Sequence, residues 1–491
     1  METVRLKTVD PVSQELLRSA ARDGIRLNWE RHERQQPPDG FQRLGLSCPY
    51  GCMQGPCRID PFGRGPDRGL CGLNRDGMVA AFLLRLSLHC ILEALNDGTV
   101  GKVPPIKQFP SPLNGMFGRA LKHLGGYPLD LNEIERSALL LSRPVESPED
   151  LVQQALRIGI LALVLSKRGK SARQPSRNLR CRVGYGLLSE NKVFIGVAGQ
   201  PLQKSISSLL KEGSRRGSPS VQLISLGSWI RTDDGFLPFA CTSGEAELLL
   251  SSGEIDLLLA GPRTDPSLLE LCQTLEIPVR MTQETAKAGE ILQLARQHHS
   301  TRSQKKSLFD SSLVGEGKVM TDIPEFKTLL KKSSCTKVVI IAGSDTPQQS
   351  IGWIPVELTK ALLAEDYLVG GWGDDALWMV KHGLASQPDS AVALLDQNEN
   401  PWLAVEALAV AGRMRDLQGI CLTGPKTCQD LSSALGLATL GIRVCVATPL
   451  PLWGSEKVRS LLEERMAAVG GKLTHFDHPA TPQEILEWFT G

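Results

Sequence analysis

The sequence predicts an α/β multidomain protein, with an N-terminal helical domain followed by two Rossmann-like doubly wound α/β domains. Three observations lead there. Before about residue 180 the apolar residues recur at helical spacing with few β-branched runs. After about residue 190, short apolar runs alternate with helical stretches, the signature of a parallel sheet covered on both faces. That alternation breaks once, in a polar stretch at His298–Gly317, and then resumes. At 491 residues the chain is long enough for about three domains. The expected boundaries are residues 1–185, 186–320 and 321–491.

In chain order, Met78–Leu95 and Pro148–Ser166 read as helices, and a Cys/Gly/Pro-rich loop occupies residues 45–75. Val193–Val197, Val221–Leu226, Ile255–Ala260 and Pro278–Met281 read as buried strands. Leu202–Lys211, Gly244–Ser252 and Pro266–Leu275 are the helices between them. His298–Gly317 reads as a linker or excursion, and its basic run Arg302–Lys306 as a solvated segment. The second series has strands at Lys337–Ala342, Tyr367–Gly370, Gly419–Thr423 and Arg443–Ala447. Its helices fall at Ser350–Leu363, Pro401–Arg415 and Glu456–Val469. Strand ends lead into Gly-containing turns at Gly196–Pro201, Gly343–Pro347 and Gly424–Lys426, where doubly wound folds place ligands. None of these turns carries a dinucleotide or Walker fingerprint, which argues against nucleotide binding.

Global charge is uninformative about partners in a useful way. The 55 basic and 53 acidic residues nearly cancel, so no nucleic-acid partner is implied. No signal peptide and no stretch of about 18 apolar residues is visible, so the expectation is a cytoplasmic protein with no membrane insertion. In that compartment cysteines act as ligands or buried thiols more often than as disulfides. Four of the 12 cysteines fall between positions 48 and 71, and this clustering is the first functional clue.

The loop Cys48-PYGCMQGPCRIDPFGRGPDRGL-Cys71 places Cys48, Cys52, Cys57 and Cys71 at spacings of x3, x4 and x13. A cubane iron–sulfur cluster needs four thiolates converging from a chain that can wrap it closely. Gly51, Gly55, Gly69 and Gly72 permit such wrapping. Structural zinc usually arrives as two C-x2–4-C knuckles, whereas here three cysteines are close and one is remote. Spacing therefore favours an iron–sulfur cluster, with structural zinc and unligated buried thiols as the alternatives.

The stretch Trp29-ERHERQQPPDGFQRLGLSCPYGCMQGPCRIDPFGRGPDRGLC-Gly72, with its GPCRIDPFG core, resembles the cluster region of anaerobic nickel-iron carbon monoxide dehydrogenases. A weaker likeness continues to Pro451-LWGSE-Lys457, so the resemblance spans essentially the whole chain, which is shorter than family members after the cluster region. It implies that Cys52, Cys57 and Cys71 hold an internal electron-relay [4Fe–4S] cluster. Cys48 matches the fourth ligand, with one extra residue between it and Cys52.

The same resemblance makes departures visible. Family members are homodimers sharing a second cluster on the two-fold axis, and the matching cysteine positions here are Asp39 and Ser47, neither a soft thiolate. The family's catalytic nickel-iron-sulfur cluster needs a histidine and several cysteines. The matching turns are Val197–Pro201 and Leu223–Ile230, which lack them, together with Gly261–Ser267, where Arg263 stands at the ligand place. In the last domain Ser344 and Trp372 stand at ligand positions, and only Leu422-TGPKTCQ keeps a thiol, Cys428. An indole and a guanidinium there would fill or oppose a metal cage. The family's histidine relay matches Glu93-ALN-Asp97, with His89 nearby as an expected packed core residue. Lys457 matches a catalytic lysine and, isolated, is expected to be a structural or surface cation. The tryptophans Trp353, Trp372, Trp378 and Trp402 and the remaining cysteines are expected in apolar packing.

These departures predict a family member that keeps one [4Fe–4S] cluster, carries no nickel, and serves electron transfer or redox sensing within a larger complex. Redox protein subunits are the implied partners, with a homodimer as a further option. Two alternatives stand beside this: a structural or assembly protein stapled by the cluster, and an active carbon monoxide dehydrogenase with rearranged ligands.

Overall fold

A computed structural model describes residues 6–35, 40–96, 103, 105–144, 147–166, 179–189, 191–213, 219–232, 235–283, 287–301, 309–385, 390–396, 403–424 and 428–491, with backbone alone at 90, 93–96, 166, 428 and 429. Asp39, Asp97, Trp402, the run 302–306, and the side chains of Cys90 and Cys428 lie outside the described residues.

Among the described residues thirteen strands form one sheet: β1 Arg180–Val183, β2 Val193–Ala198, β3 Val221–Leu226, β4 Phe239–Cys241, β5 Leu257–Ala260, β6 Val279–Met281, β7 Gly315–Met320, β8 Lys337–Gly343, β9 Tyr367–Gly373, β10 Val392–Leu395, β11 Leu417–Leu422, β12 Arg443–Val446 and β13 Lys472–His475. Their order is β13-β12-β11-β8-β9-β10-β7-β1-β4-β3-β2-β5-β6. Each half is doubly wound. The chain reverses direction across the sheet between β2 and β5 in one half, and between β8 and β11 in the other. The halves join at β7, parallel to β10 on one side and antiparallel to β1 on the other.

Every strand read from an apolar run is present. Those runs are apolar because a parallel strand with helices on both faces buries both faces, as β2 does at all six positions. The strands that the reading missed are short or polar: β1, β4, β7, β10 and β13. The expected linker at His298–Gly317 is also corrected. The helix Ala288–Thr301 runs into it, and β7 begins at Gly315. The β7 sequence GEGKVM carries no apolar run, so its place in the sheet comes from its neighbours.

The N-terminal helices share their core with the second half of the sheet. Met78, Leu83, Leu161 and Leu163 belong to one buried cluster with Ile340, Ile420 and Val444. Helix Pro148–Ser166 crosses helix Cys428–Thr439 so closely that a Cβ on Gly436 would lie 2.4 Å from the Gly159 carbonyl oxygen. A buried ion pair, Arg157–Glu133, fixes the preceding helix Asn132–Ser142 against the same element. The Arg157 guanidinium also donates to the carbonyls of Leu124, Gly126 and Pro128. Among the described residues no helix is long and apolar enough to cross a membrane.

Candidate metal centre

The cysteine loop is built on three buried apolar anchors. Leu46 and Ile59 are fully buried and hold the first arm, where Ile59 N–H donates to the Leu46 carbonyl at 3.0 Å. Ser47 and Arg58 pair as an antiparallel bridge, and Cys48 N–H donates to the Cys57 carbonyl at 2.9 Å. Leu73 anchors the second arm, where Gly69 N–H donates to its carbonyl at 2.9 Å. Between the arms, the Asp60 carboxylate accepts the N–H groups of Phe62 and Arg64 at 2.6 and 3.3 Å, tightening the turn. Helix Arg75–Asn96 follows directly, and its Arg85 donates back to the Pro49 carbonyl at 2.7 Å.

The base of the loop is locked to the C-terminal unit. Gly45 has φ 74°, and a Cβ there would lie 2.3 Å from the Pro451 carbonyl oxygen. A Cβ on Gly454 would lie equally close, 2.3 Å, to the Leu44 carbonyl oxygen. Ser455 caps helix Glu456–Ala467 and donates its hydroxyl to Asp76 at 2.6 Å. The two segments that carried the family resemblance are thus packed against each other.

The loop brings the four predicted cysteines together. Burial pushes the Cys48 thiol up, the Tyr50 amide pulls it down, and Cys57, Cys71 and Cys52 each push it up through their charge. Cys52 and Cys71 are exposed, while Cys48 and Cys57 are half-buried. Leu70 N–H donates to the Cys57 sulfur at 3.4 Å. A Cβ added at Gly69 would sit 3.6 Å from the Cys57 Sγ and 3.9 Å from the Cys71 Sγ, so the glycine leaves that space open. Among the described residues no group of three or more His, Cys, Asp or Glu draws together tightly enough for one metal ion. A cubane asks for a different spacing, because each thiolate binds a separate iron. Four soft donors, the open glycine and an amide aimed at sulfur suit such a cluster.

The turns matched to the family's catalytic cluster hold other chemistry. Gly199 and Gly261 pack closely, a Cβ on Gly261 lying 2.1 Å from the Gly199 carbonyl oxygen; Arg263 N–H donates to that carbonyl at 3.0 Å, and Gly199 N–H donates to the Ser228 hydroxyl at 3.2 Å. Arg263 itself is exposed. Trp372 is half-buried against the apolar core, and its indole N–H finds no hydrogen-bond partner among the described residues. Ser344 donates its backbone N–H to the Gly424 carbonyl at 3.1 Å.

Beside Ser344 and Trp372 lies a carboxyl network that sequence reasoning missed. Asp345 accepts the Thr242 hydroxyl at 2.5 Å, the Gly244 N–H at 3.2 Å and the Trp378 indole N–H at 2.8 Å. Asp374 accepts the Ser243 hydroxyl at 2.5 Å and the Asp345 N–H at 3.1 Å. Asp375 accepts the Thr423 hydroxyl at 2.7 Å. Lys381 bridges Glu245 at 2.6 Å and Asp10 at 3.1 Å, tying helix Pro11–Arg22 to both sheet halves. Burial, then the neighbouring Asp374, pushes the Asp345 carboxyl up to about 7. Burial likewise raises Asp375, with the Thr423 hydroxyl opposing it. Burial disfavours the Lys381 charge, but Glu245 and Asp10 more than offset it. The adjacent Cys241 thiol is pushed well up, first by burial and then by Glu245. The one sequence signal was the pair Asp374–Asp375 opening a helix directly after a strand.

Two further predicted positions resolve simply. Lys457 pairs with Glu149 at 2.8 Å, with side chains 50% and 41% exposed. His89 is exposed rather than packed, a correction that follows from its place on the outer face of helix Arg75–Asn96.

No protein-family model matches the chain. A carbon monoxide dehydrogenase of Methanosarcina mazei is 46% identical over 85 residues, 17% of this chain and 13% of that relative's length. The solved structure of carbon monoxide dehydrogenase IV from Carboxydothermus hydrogenoformans superposes with a TM-score of 0.77 at 20% identity, covering 98% of each chain. Over the short matched segment the chain is similar in sequence to carbon monoxide dehydrogenases, and over nearly its whole length it is similar to them in fold. A nickel-free carbon monoxide dehydrogenase from Thermococcus sp. AM4 has the same fold, with a TM-score of 0.76 at 18% identity over 99% of this chain and 96% of that one. Similarity in sequence to carbon monoxide dehydrogenases thus covers a short segment of this chain, while similarity in fold covers nearly all of it.

Proposed function

We propose that this chain binds one [4Fe–4S] cluster through Cys48, Cys52, Cys57 and Cys71 and acts as a redox-linked accessory subunit without a catalytic nickel centre of its own. The observation that supports this reading is that Cys57 and Cys71 flank Gly69, with the Leu70 amide on the Cys57 sulfur and Cys48 feeling the charges of Cys52, Cys57 and Cys71. When bound, such a cluster supplies one-electron transfer. The chain's own part is to fix the four sulfurs on a loop anchored by Leu46, Ile59 and Leu73, and to leave Cys52 and Cys71 at the surface. Beside Ser344 and Trp372, Asp345, Asp374, Thr242 and Lys381 offer hard oxygen and ammonium groups in place of soft ligands.

A structural reading has its own support, because the loop base interlocks with Pro451 and Gly454. Anaerobic purification followed by iron and nickel analysis tests the proposal: four irons and no nickel per chain are expected. Stoichiometric nickel with carbon monoxide oxidation would overturn it in favour of an active enzyme. A cluster that a low-potential donor cannot reduce and reoxidise would leave the structural role.

A further inference from the structure

Cys421 on β11 and Cys445 on β12 stand directly opposite each other in parallel register, between the pairs Ile420–Val444 and Leu422–Val446. Adjacent strands lie about 4.8 Å apart, inside the roughly 4.4–6.8 Å between Cα atoms that a disulfide spans. The two side chains share a face. Both belong to the buried cluster that holds Leu358, Leu362, Ile485 and Phe489, whereas Ile420, Leu422, Val444 and Val446 belong to the cluster on the opposite face. Both cysteines are fully buried and neither is in a disulfide. The Cys445 thiol, and after it burial, pushes the Cys421 thiol well up. The other strand cysteines lack such a neighbour in register: Cys181 faces Gly317, and Cys241 faces Leu226.

A route leads toward this pair from the surface. Helices Trp353–Ala364 and Pro482–Thr490 roof the shared face through Leu358, Leu362, Ile485 and Phe489. Between the two helices lies a groove of about 300 Å³, lined by Trp353, Glu357, Ala361, Pro482 and Leu486 among others. Leu486 also packs against the cluster that contains both cysteines, so one side chain borders the groove and the sulfur-bearing core alike. A molecule the size of hydrogen peroxide fits such a route, whereas a folded oxidoreductase does not.

We infer that Cys421 and Cys445 are a reversible thiol pair, which closes to a cross-strand disulfide when a small hydroperoxide enters through the groove beside Leu486. The first sulfur attacks the peroxide, breaking its O–O bond, and becomes a sulfenic acid as one water leaves. The second sulfur attacks the first, forming the S–S bond and releasing the sulfenic oxygen as a second water. Two thiols are thereby oxidised by two electrons, one peroxide is reduced, and both thiol protons end in water. The thiolate is the attacking form, and Cys421 is held protonated, so closure is slower than oxidation of an exposed cysteine. Thr423, two positions beyond Cys421, bonds the Asp375 carboxyl and the Gln349 amide, so the disulfide forms on a strand that carries the buried carboxyl network. The inference uses none of the loop cysteines and is independent of the cluster proposed above.

The full chain, purified anaerobically, is treated with hydrogen peroxide, alkylated, digested with trypsin and mapped by mass spectrometry. The peptides Asp416–Lys426 and Val444–Lys457 carry Cys421 and Cys445 and no other cysteine. Expected is a species in which these two peptides are joined, which dithiothreitol separates and which Cys421→Ala lacks. The same treatment of the urea-unfolded chain sets the background. Leu486→Trp narrows the groove, and a Leu486→Trp chain of unchanged melting temperature is expected to form the link several-fold more slowly. Peptides that stay unlinked in the folded chain, or that link no more than in urea, overturn the pair. Oxidation of either cysteine to a sulfinic acid without a link does the same, because no partner thiol was then within reach. An unchanged rate in Leu486→Trp overturns the groove as the route.

Discussion

The Leu70 backbone N–H donates to the Cys57 sulfur at 3.4 Å, from thirteen positions further along the loop. That bond holds Cys57 beside Gly69, which the Cys71 sulfur also approaches. Cys57→Ser exchanges a soft donor for a hard one at this point. The expected outcome is loss of most of the iron, read by metal analysis and by the visible absorption band. Retention of all four irons would show that the cluster is held elsewhere.

Gly69→Val tests the space rather than the ligand. A Cβ at this position already stands 3.4 Å from the Cys57 Cβ and 3.6 Å from its sulfur, and two further methyls extend into the same gap. Iron occupancy is expected to fall while the melting temperature of the iron-free chain stays the same. An unchanged iron content would mean the cluster does not approach this glycine.

Arg157→Ala probes the helical layer. Its guanidinium is 5% exposed, pairs with an equally buried Glu133 and reaches three carbonyls. Removing it leaves a buried carboxylate and orphaned acceptors, which costs about 3–5 kcal/mol. Denaturant unfolding measures this directly, and a loss within about 1 kcal/mol, typical of an exposed pair, would contradict the burial.

Asp345 sets a pH dependence of definite sign. Its carboxyl is raised in the folded chain to about 7, from an ordinary value of 3.8, by burial and by Asp374. The native state therefore holds a proton that the unfolded chain has already released, so stability falls as pH rises through this window and levels off above it. Asp345→Asn removes the titration. Relative to the variant, the unmodified chain is expected to lose stability between about pH 4 and pH 7, monitored by thermal unfolding. A parallel pair of curves would assign the proton elsewhere in the network.

Lys457 lies in a half-exposed pair with Glu149, in the first turn of helix Pro148–Ser166. Exposed pairs contribute little because water screens them. Lys457→Ala is expected to leave melting temperature and iron content unchanged. A marked loss of iron would show that the lysine supports the cluster after all.

Much of the architecture was legible locally. A parallel strand buried on both faces must be apolar throughout, so β2, β3, β8 and β11 announce themselves in the sequence. The cysteine loop was legible for a related reason: Cys48, Cys52, Cys57 and Cys71 stand on one glycine-containing segment, so their spacing is written consecutively. The polar strand β7 was not legible, since its six residues become a strand only between β1 and β10.

What the sequence alone determined is therefore the loop with Cys48, Cys52, Cys57 and Cys71, and the alternation of strands and helices behind it. Tertiary structure alone decided that the two α/β halves form one sheet, and that Arg263 and His89 face outward. It also decided that Asp10, Thr242, Glu245, Asp345 and Lys381, spread over most of the chain, meet in one network. The physical reason is range. Burial period and ligand spacing act between near neighbours in sequence, whereas the fate of a charge depends on partners that only the completed fold brings within hydrogen-bond distance.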